Sequence, residues 1–251
     1  VMNWGRPYVP RTDELLPALL DQVEAGGVSE SVWRELWTML CGEGETLVPG
    51  SPAALPRLVA LARSETQALE MAGAIVRSAM TDDQGELMFV ESADAIAELR
   101  ELVDRRLRTR PADYIWGFRT LLAIEGQFHW SAALGDFSDD FYAVPCPHCS
   151  LNVTIAIGGY GTYSARRDWD AWDVDRRDLR PASVAELDGT GRWMYDLAVR
   201  DGQDRLAERI RYLMGRAECP RCASVFGIAD EYAAANLPPL SSVPLTRSWT
   251  E

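Results

Sequence analysis

Residues 144–151 read Val144-Pro145-Cys146-Pro147-His148-Cys149-Ser150-Leu151, and residues 217–224 read Ala217-Glu218-Cys219-Pro220-Arg221-Cys222-Ala223-Ser224. Both contain Cys-Pro-x-Cys. Two residues between thiols make a turn tight enough to aim both sulfurs at one point. Two such turns complete a tetrahedral set of four thiolates, with zinc–sulfur distances of about 2.3 Å. The spacing therefore predicts one structural Zn2+ site made by Cys146, Cys149, Cys219 and Cys222. Four sulfurs fill the coordination shell and leave no place for water, so the expected role is a staple rather than a catalyst. Five cysteines, four of them in close pairs, fit metal binding in a reducing compartment better than a disulfide framework.

Outward from each turn the sequence becomes strand-like. Phe141-Tyr142-Ala143-Val144 precedes the first turn, and Leu151 to Ile157 alternates apolar with small or polar residues after it. Gly158-Gly159 turns the chain and Tyr160 to Tyr163 can return as the next strand. Ser224 to Ile228 follows the second turn in the same manner. In this the chain resembles a split zinc ribbon, with arms at 141–165 and 216–229. Two features depart from the usual ribbon. Ser150 and Ala223 stand where glycine is common, and residues 150–218 separate the two turns, against the roughly 15–20 residues of a minimal site. The excess is expected to be a helical insertion over 166–214. It comprises a polar, loop-like stretch at 166–188 and helices over Thr190–Arg200 and Gln203–Met214. Closure entropy grows only logarithmically with loop length, so a folded insertion is tolerable. Cys-Pro-His-Cys also resembles the active-site sequence of oxidising thioredoxin-fold proteins. That chemistry needs the first cysteine at a helix N-terminus, and the β-rich sequence here argues against it.

The first half has helical periodicity. Helices are expected from Thr12 or Asp13, from Ser29, from Ser51-Pro52, over about 65–79, from Ser92 and from Pro111, the Ser-Pro step being an N-cap followed by proline at the first helical position. They read as three antiparallel pairs beginning near residues 12, 51 and 92. Leu16-Pro17-Ala18-Leu19-Leu20 recurs as Leu55-Pro56-Arg57-Leu58-Val59. A period of about 40 with an early proline resembles HEAT-type repeats. The expected fold is mainly α: HEAT-like antiparallel helical pairs over 1–135, then a small β zinc ribbon with its helical insertion over 136–236, and an extended tail over 237–251.

Composition narrows function. The formal charge is −13, and all 25 basic residues are arginine. Such a charge repels phosphate backbones and suits a cationic partner. No stretch nears the roughly 18 apolar residues that cross a bilayer, and the first residues lack a signal-peptide run, so a cytoplasmic protein without membrane contact is expected. Trp169, Asp170, Trp172 and Asp173 concentrate indole and carboxylate in a pattern suited to docking a basic protein surface, against the plainer reading of a solvated loop. His129 reads as structural, Cys41 as a small side chain on an apolar helical face, and Gly158-Gly159-Tyr160-Gly161 as a turn. Arg105 to Arg110 reads as cations at a helix C-terminus. No nucleophile motif, P-loop or metalloprotease helix is present, which argues against an enzyme.

The combination is similar to bacterial proteins that join HEAT-like helices to a split Cys-Pro-x-Cys ribbon, some of them of the immunity type. The resemblance defines no activity; with the repeats and the missing catalytic motifs it suits a zinc-stabilised protein–protein interaction module, and the negative charge suits an acidic inhibitor of a cationic toxin. Two other classes stay open on the sequence: a nucleic-acid-binding or transcription-associated zinc ribbon, and an enzyme whose pocket is assembled only in the fold.

Overall fold

A computed structural model describes residues 12–27, 29–41, 47–79, 83–166 and 175–236. As expected, the chain is mainly α-helical with a small β region. It divides into two compact units. The first holds the described residues up to Leu107 together with Trp116–Ala132. The second holds Arg108–Ile115 and the described residues from Ala133 onward.

In the first unit, α1 (Thr12–Ala25) packs on α2 (Glu30–Leu40), and α3 (Ser51–Leu61) packs on α4 (Thr66–Ser78). The short connections make each pair a helical hairpin. Leu16, Leu19, Leu20 and Val23 of α1 are buried, as are Trp33, Leu36 and Leu40 of α2. These positions recur at three- and four-residue steps, which puts them on one helical face. Pro17 and Pro56 lie inside α1 and α3, each five residues after the helix's first residue. The sequence expectation of Ser51 as an N-cap is corrected. Gly50 holds the cap position, and the buried Ser51 hydroxyl instead donates to the Leu40 carbonyl at 2.8 Å, joining the end of α2 to the start of α3.

The expected run of six helices is also corrected. A further helix, α5 (Asp83–Glu91), precedes α6 (Ala93–Leu107), and α8 (Phe128–Ala133) follows α7 (Tyr114–Ile124). Neither carries a periodic signal. Leu87 and Val90 of α5 are exposed, and Met88 alone of its large apolar side chains is buried, while α8 spans fewer than two turns. Helix α6 packs on α3 and α4 as well as on α5. Cys41 lies just past the end of α2 rather than on its face, in a single β-bridge with Leu47. Burial pushes its thiol up to about 12, a rise that the Arg77 charge partly offsets.

The second unit is built on an antiparallel sheet in the order β1 (Asp139–Pro145), β2 (Asn152–Gly158), β3 (Gly161–Ala165), β4 (Arg177–Asp178). Val153, Ile155, Ala156 and Ile157 of β2 are buried, so the apparent alternation belongs to a central strand covered on both faces. The stretch expected to be loop contains β4 and a short 3-10 turn (Val184–Glu186) closed by a Ser183–Glu186 capping box. A two-residue strand is too short to leave a period in the sequence.

Helices α9 (Gly189–Arg200) and α10 (Asp204–Leu213) form the expected hairpin. Gly202, at φ 65, reverses the chain between them, with the Gln203 amide donating to Ala198 O at 2.8 Å. At this corner the Tyr114 hydroxyl donates to the buried Asp201 carboxylate at 2.8 Å, which Arg200 also pairs at 2.7 Å. That bond ties residues 108–115 to the second unit. The chain then enters β5 (Arg216–Glu218) and β6 (Val225–Gly227), a separate two-stranded sheet, and α11 (Ile228–Asn236) follows. Helix α11 lies against β1, and the Asn236 amide donates to Ala143 O at 3.0 Å, covering a group on the sheet's edge strand.

Candidate metal centre

The two Cys-Pro-x-Cys turns are the loops of two β-hairpins in matching register. Pro145 pairs with Asn152 across β1 and β2, and Glu218 pairs with Val225 across β5 and β6. Within the first loop the Cys146 amide donates to Leu151 O at 2.8 Å and the Ser150 amide to Cys146 O at 2.9 Å. The second loop repeats both bonds, Cys219 to Ser224 O and Ala223 to Cys219 O, each at 2.9 Å. Ser150 and Ala223 have φ of 57° and 58°. These are the positions where glycine is common, and the backbone there is left-handed, a region that costs an L-residue about 1–2 kcal/mol.

The hairpins meet through side chains and backbone near the second turn. Ser164 of β3 donates its hydroxyl to Glu218 O at 2.7 Å. Arg180 and Arg216 exchange two backbone hydrogen bonds of 2.9 Å. The Glu218 carboxylate pairs with Arg177 at 3.5 Å and Arg180 at 3.6 Å. The residue preceding Cys219 is thereby fixed to the sheet that carries Cys146 and Cys149. Sequence reasoning misses Ser164, Arg180 and Glu218 as supports. Their role depends on β4 returning beside β5, which no local pattern announces.

As a result the four sulfurs converge. Cys146 Sγ lies 3.7 Å from Cys222 Sγ, Cys149 Sγ lies 3.6 Å from Cys219 Sγ, and all four fall within 4.8 Å of one another. A tetrahedron with metal–sulfur bonds of about 2.3 Å has edges of about 3.8 Å. The donor set, its number and its size fit a tetrahedral metal ion. It is the only group of three or more metal-ligating side chains among the described residues.

Burial differs along each turn. Cys146 and Cys219 are buried, Cys149 is half-buried and Cys222 is exposed. Burial pushes the Cys146 thiol up to about 11, although the amides of His148 and Cys149 point at its sulfur and favour the thiolate. The hydroxyl and amide of Ser224 bring the Cys222 thiol down to about 6. Amides turned toward a sulfur stabilise the ligand form of cysteine, as outer-shell hydrogen bonds do at metal sites. His148 and Arg221, at the x positions of the two turns, are both exposed. The converging group is made of the four cysteines, and His148 is not part of it.

Other expected sites fare differently. Trp169, Asp170, Trp172 and Asp173 lie outside the described residues. His129 is partly buried in α8 with its Nδ1 lacking a hydrogen-bond partner, and burial lowers its pKa. Gly159 and Tyr160 form the turn between β2 and β3. An arrangement unforeseen in the sequence centres on Trp116, whose ring has the Arg77 guanidinium at 5.2 Å and the Arg119 guanidinium at 4.9 Å. Arg77 also donates to Thr120 Oγ1 at 2.6 Å, and Arg119 donates to Ser131 O, so the group fastens α4, α7 and α8 together. Comparison of the chain with protein-family models, curated proteins and solved structures finds no match.

Proposed function

We propose that Cys146, Cys149, Cys219 and Cys222 bind one structural Zn2+ and that the chain is a protein–protein interaction module, an immunity-type inhibitor of a cationic protein. A filled tetrathiolate shell offers no exchangeable position to a substrate. The ion's contribution is to hold hairpins β1–β2 and β5–β6 together, and these residues reach the ligand geometry through their own backbone bonds.

The observation that carries the interaction reading is the joining of a net charge of −13 with exposed large apolar side chains on helices. In the first unit these include Leu15, Trp37, Leu87 and Val90. Apolar anchors on a chain of net negative charge suit a basic partner: the anchors supply affinity and the field supplies encounter rate. The matched placement of Pro17 and Pro56 supports a repeated, HEAT-like arrangement of the helical pairs.

Purification from the native host at low ionic strength tests the reading. A basic protein is expected to copurify in stoichiometric amount, to lose its own activity in the complex, and to associate more slowly as salt is raised. Isolation of the chain without a stoichiometric protein partner contradicts it.

A further inference from the structure

We propose that Cys222 is the site at which hydroperoxides modify this protein, and that Cys146, on the other hairpin, is the thiol that resolves the reaction. This rests on the metal reading above and extends it. Two geometric facts carry the inference. Two short sulfur contacts each join one cysteine from each turn, Cys222 to Cys146 at 3.7 Å and Cys149 to Cys219 at 3.6 Å. Each also joins the more exposed second cysteine of one turn to the buried first cysteine of the other, and Cys222 is the one exposed thiol among the four. An oxidant arriving from solvent therefore meets Cys222 first, and the sulfur then in line to respond belongs to the opposite turn.

The chemistry balances with a hydroperoxide as the sole oxidant. The Cys222 thiolate attacks the terminal peroxide oxygen. An S–O bond forms, the O–O bond breaks, and the alcohol (water, for hydrogen peroxide) leaves after taking up one proton. Cys222 is now a sulfenic acid, oxidised by two electrons. The Cys146 thiolate attacks the Cys222 sulfur, an S–S bond forms, the S–O bond breaks, and hydroxide leaves as water with a second proton. A second hydroperoxide converts Cys149 and Cys219 in the same way. Two ligands lost at the first step end four-sulfur coordination, so the ion departs. Because both disulfides cross between the turns, the hairpins stay joined after the ion has gone.

The test uses the full chain with its metal content first measured by elemental analysis. Hydrogen peroxide is added in steps, metal release is followed with a chromogenic chelator, and disulfides are mapped by mass spectrometry without reduction. Trypsin cleaves after Arg221 and so parts Cys219 from Cys222, while fragmentation between Cys146 and Cys149 locates the other ends. The first equivalent is expected to release most of the metal and to give a Cys146–Cys222 link. The second gives Cys149–Cys219, and reduction with added zinc restores the starting state. Links within a turn, Cys146–Cys149 or Cys219–Cys222, overturn the proposal, as does metal retained after two equivalents. A protein isolated without metal removes the metal reading and the release step with it. Its disulfide map still judges the cross-turn pairing, so the two failures remain distinct.

Discussion

Ser150 and Ala223 hold the same left-handed backbone, φ 57° and 58°, and each donates its amide to the carbonyl of the cysteine four residues before it. Both therefore bear a conformational cost so that the next strand leaves the turn in register. A β-branched side chain at either position adds crowding that left-handed backbone does not accommodate. Ala223→Val is expected to lower stability by about 2 kcal/mol, within the range for residues forced into sparse backbone regions. Ala223→Gly should not lower it. Urea unfolding of the three proteins at one metal concentration gives the order, and equal stability of the valine and alanine forms would contradict the strained-turn account.

Much of this site is legible in the amino-acid sequence. Two equal spacings tell which sulfurs belong together, and the absence of glycine after each turn is visible as a departure. The closure between the hairpins is not legible, because Ser164, Arg180 and Glu218 act across distant segments and β4 is only two residues long. In the helical half, periodicity reports the elements with one buried face, as in α1 and α2. It fails at α5, whose exposed Leu87 and Val90 break the period. Cys41 continues the apolar pattern of α2 in sequence, and periodicity cannot see that the helix stops one residue earlier.

The corner at Asp201 supplies a second prediction. Tyr114→Phe removes the hydroxyl that donates to a carboxylate buried to 2% exposure, while Arg200 remains on the other side. The carboxylate keeps both Arg200 donors, at 2.7 and 2.9 Å, but loses its third, a hydrogen bond to a charged group that contributes about 1.5–3 kcal/mol. Thermal unfolding should show it, and hydrogen exchange around Gly202 and Gln203 should quicken. An unchanged melting temperature would show that the bond contributes nothing there.

Cys41 should resist alkylation while the chain is folded. Its thiol is pushed to about 12, from an ordinary value of 9.0, chiefly by burial. A folded pKa above the unfolded one means that the fold holds the proton. The stability linked to Cys41 is thus intact below pH 9 and declines as pH rises through that interval toward 12. At pH 8 the thiolate fraction is about a thousandfold lower than in the unfolded chain. Iodoacetamide labelling with and without denaturant, read by peptide mass, measures the ratio. Equal rates would contradict a thiol shielded by the fold.

Chelation should loosen the turns before the rest of the chain. Site formation and local folding are coupled, so removing the ion withdraws support from both hairpins together. Exchange at the amides of Cys146, Ser150, Cys219 and Ala223 is expected to accelerate first, ahead of the buried amides of α3 and α4. Uniform acceleration throughout the chain would argue that the site staples nothing locally.

The most direct measurement is the metal content of protein purified without added metal or chelator, beside a Cys146→Ser/Cys219→Ser variant that removes one buried sulfur from each turn. The expected result is one zinc per chain in the unaltered protein and almost none in the variant. An unaltered protein free of transition metal, or a variant that keeps its full complement, would contradict a four-cysteine centre joining the two hairpins.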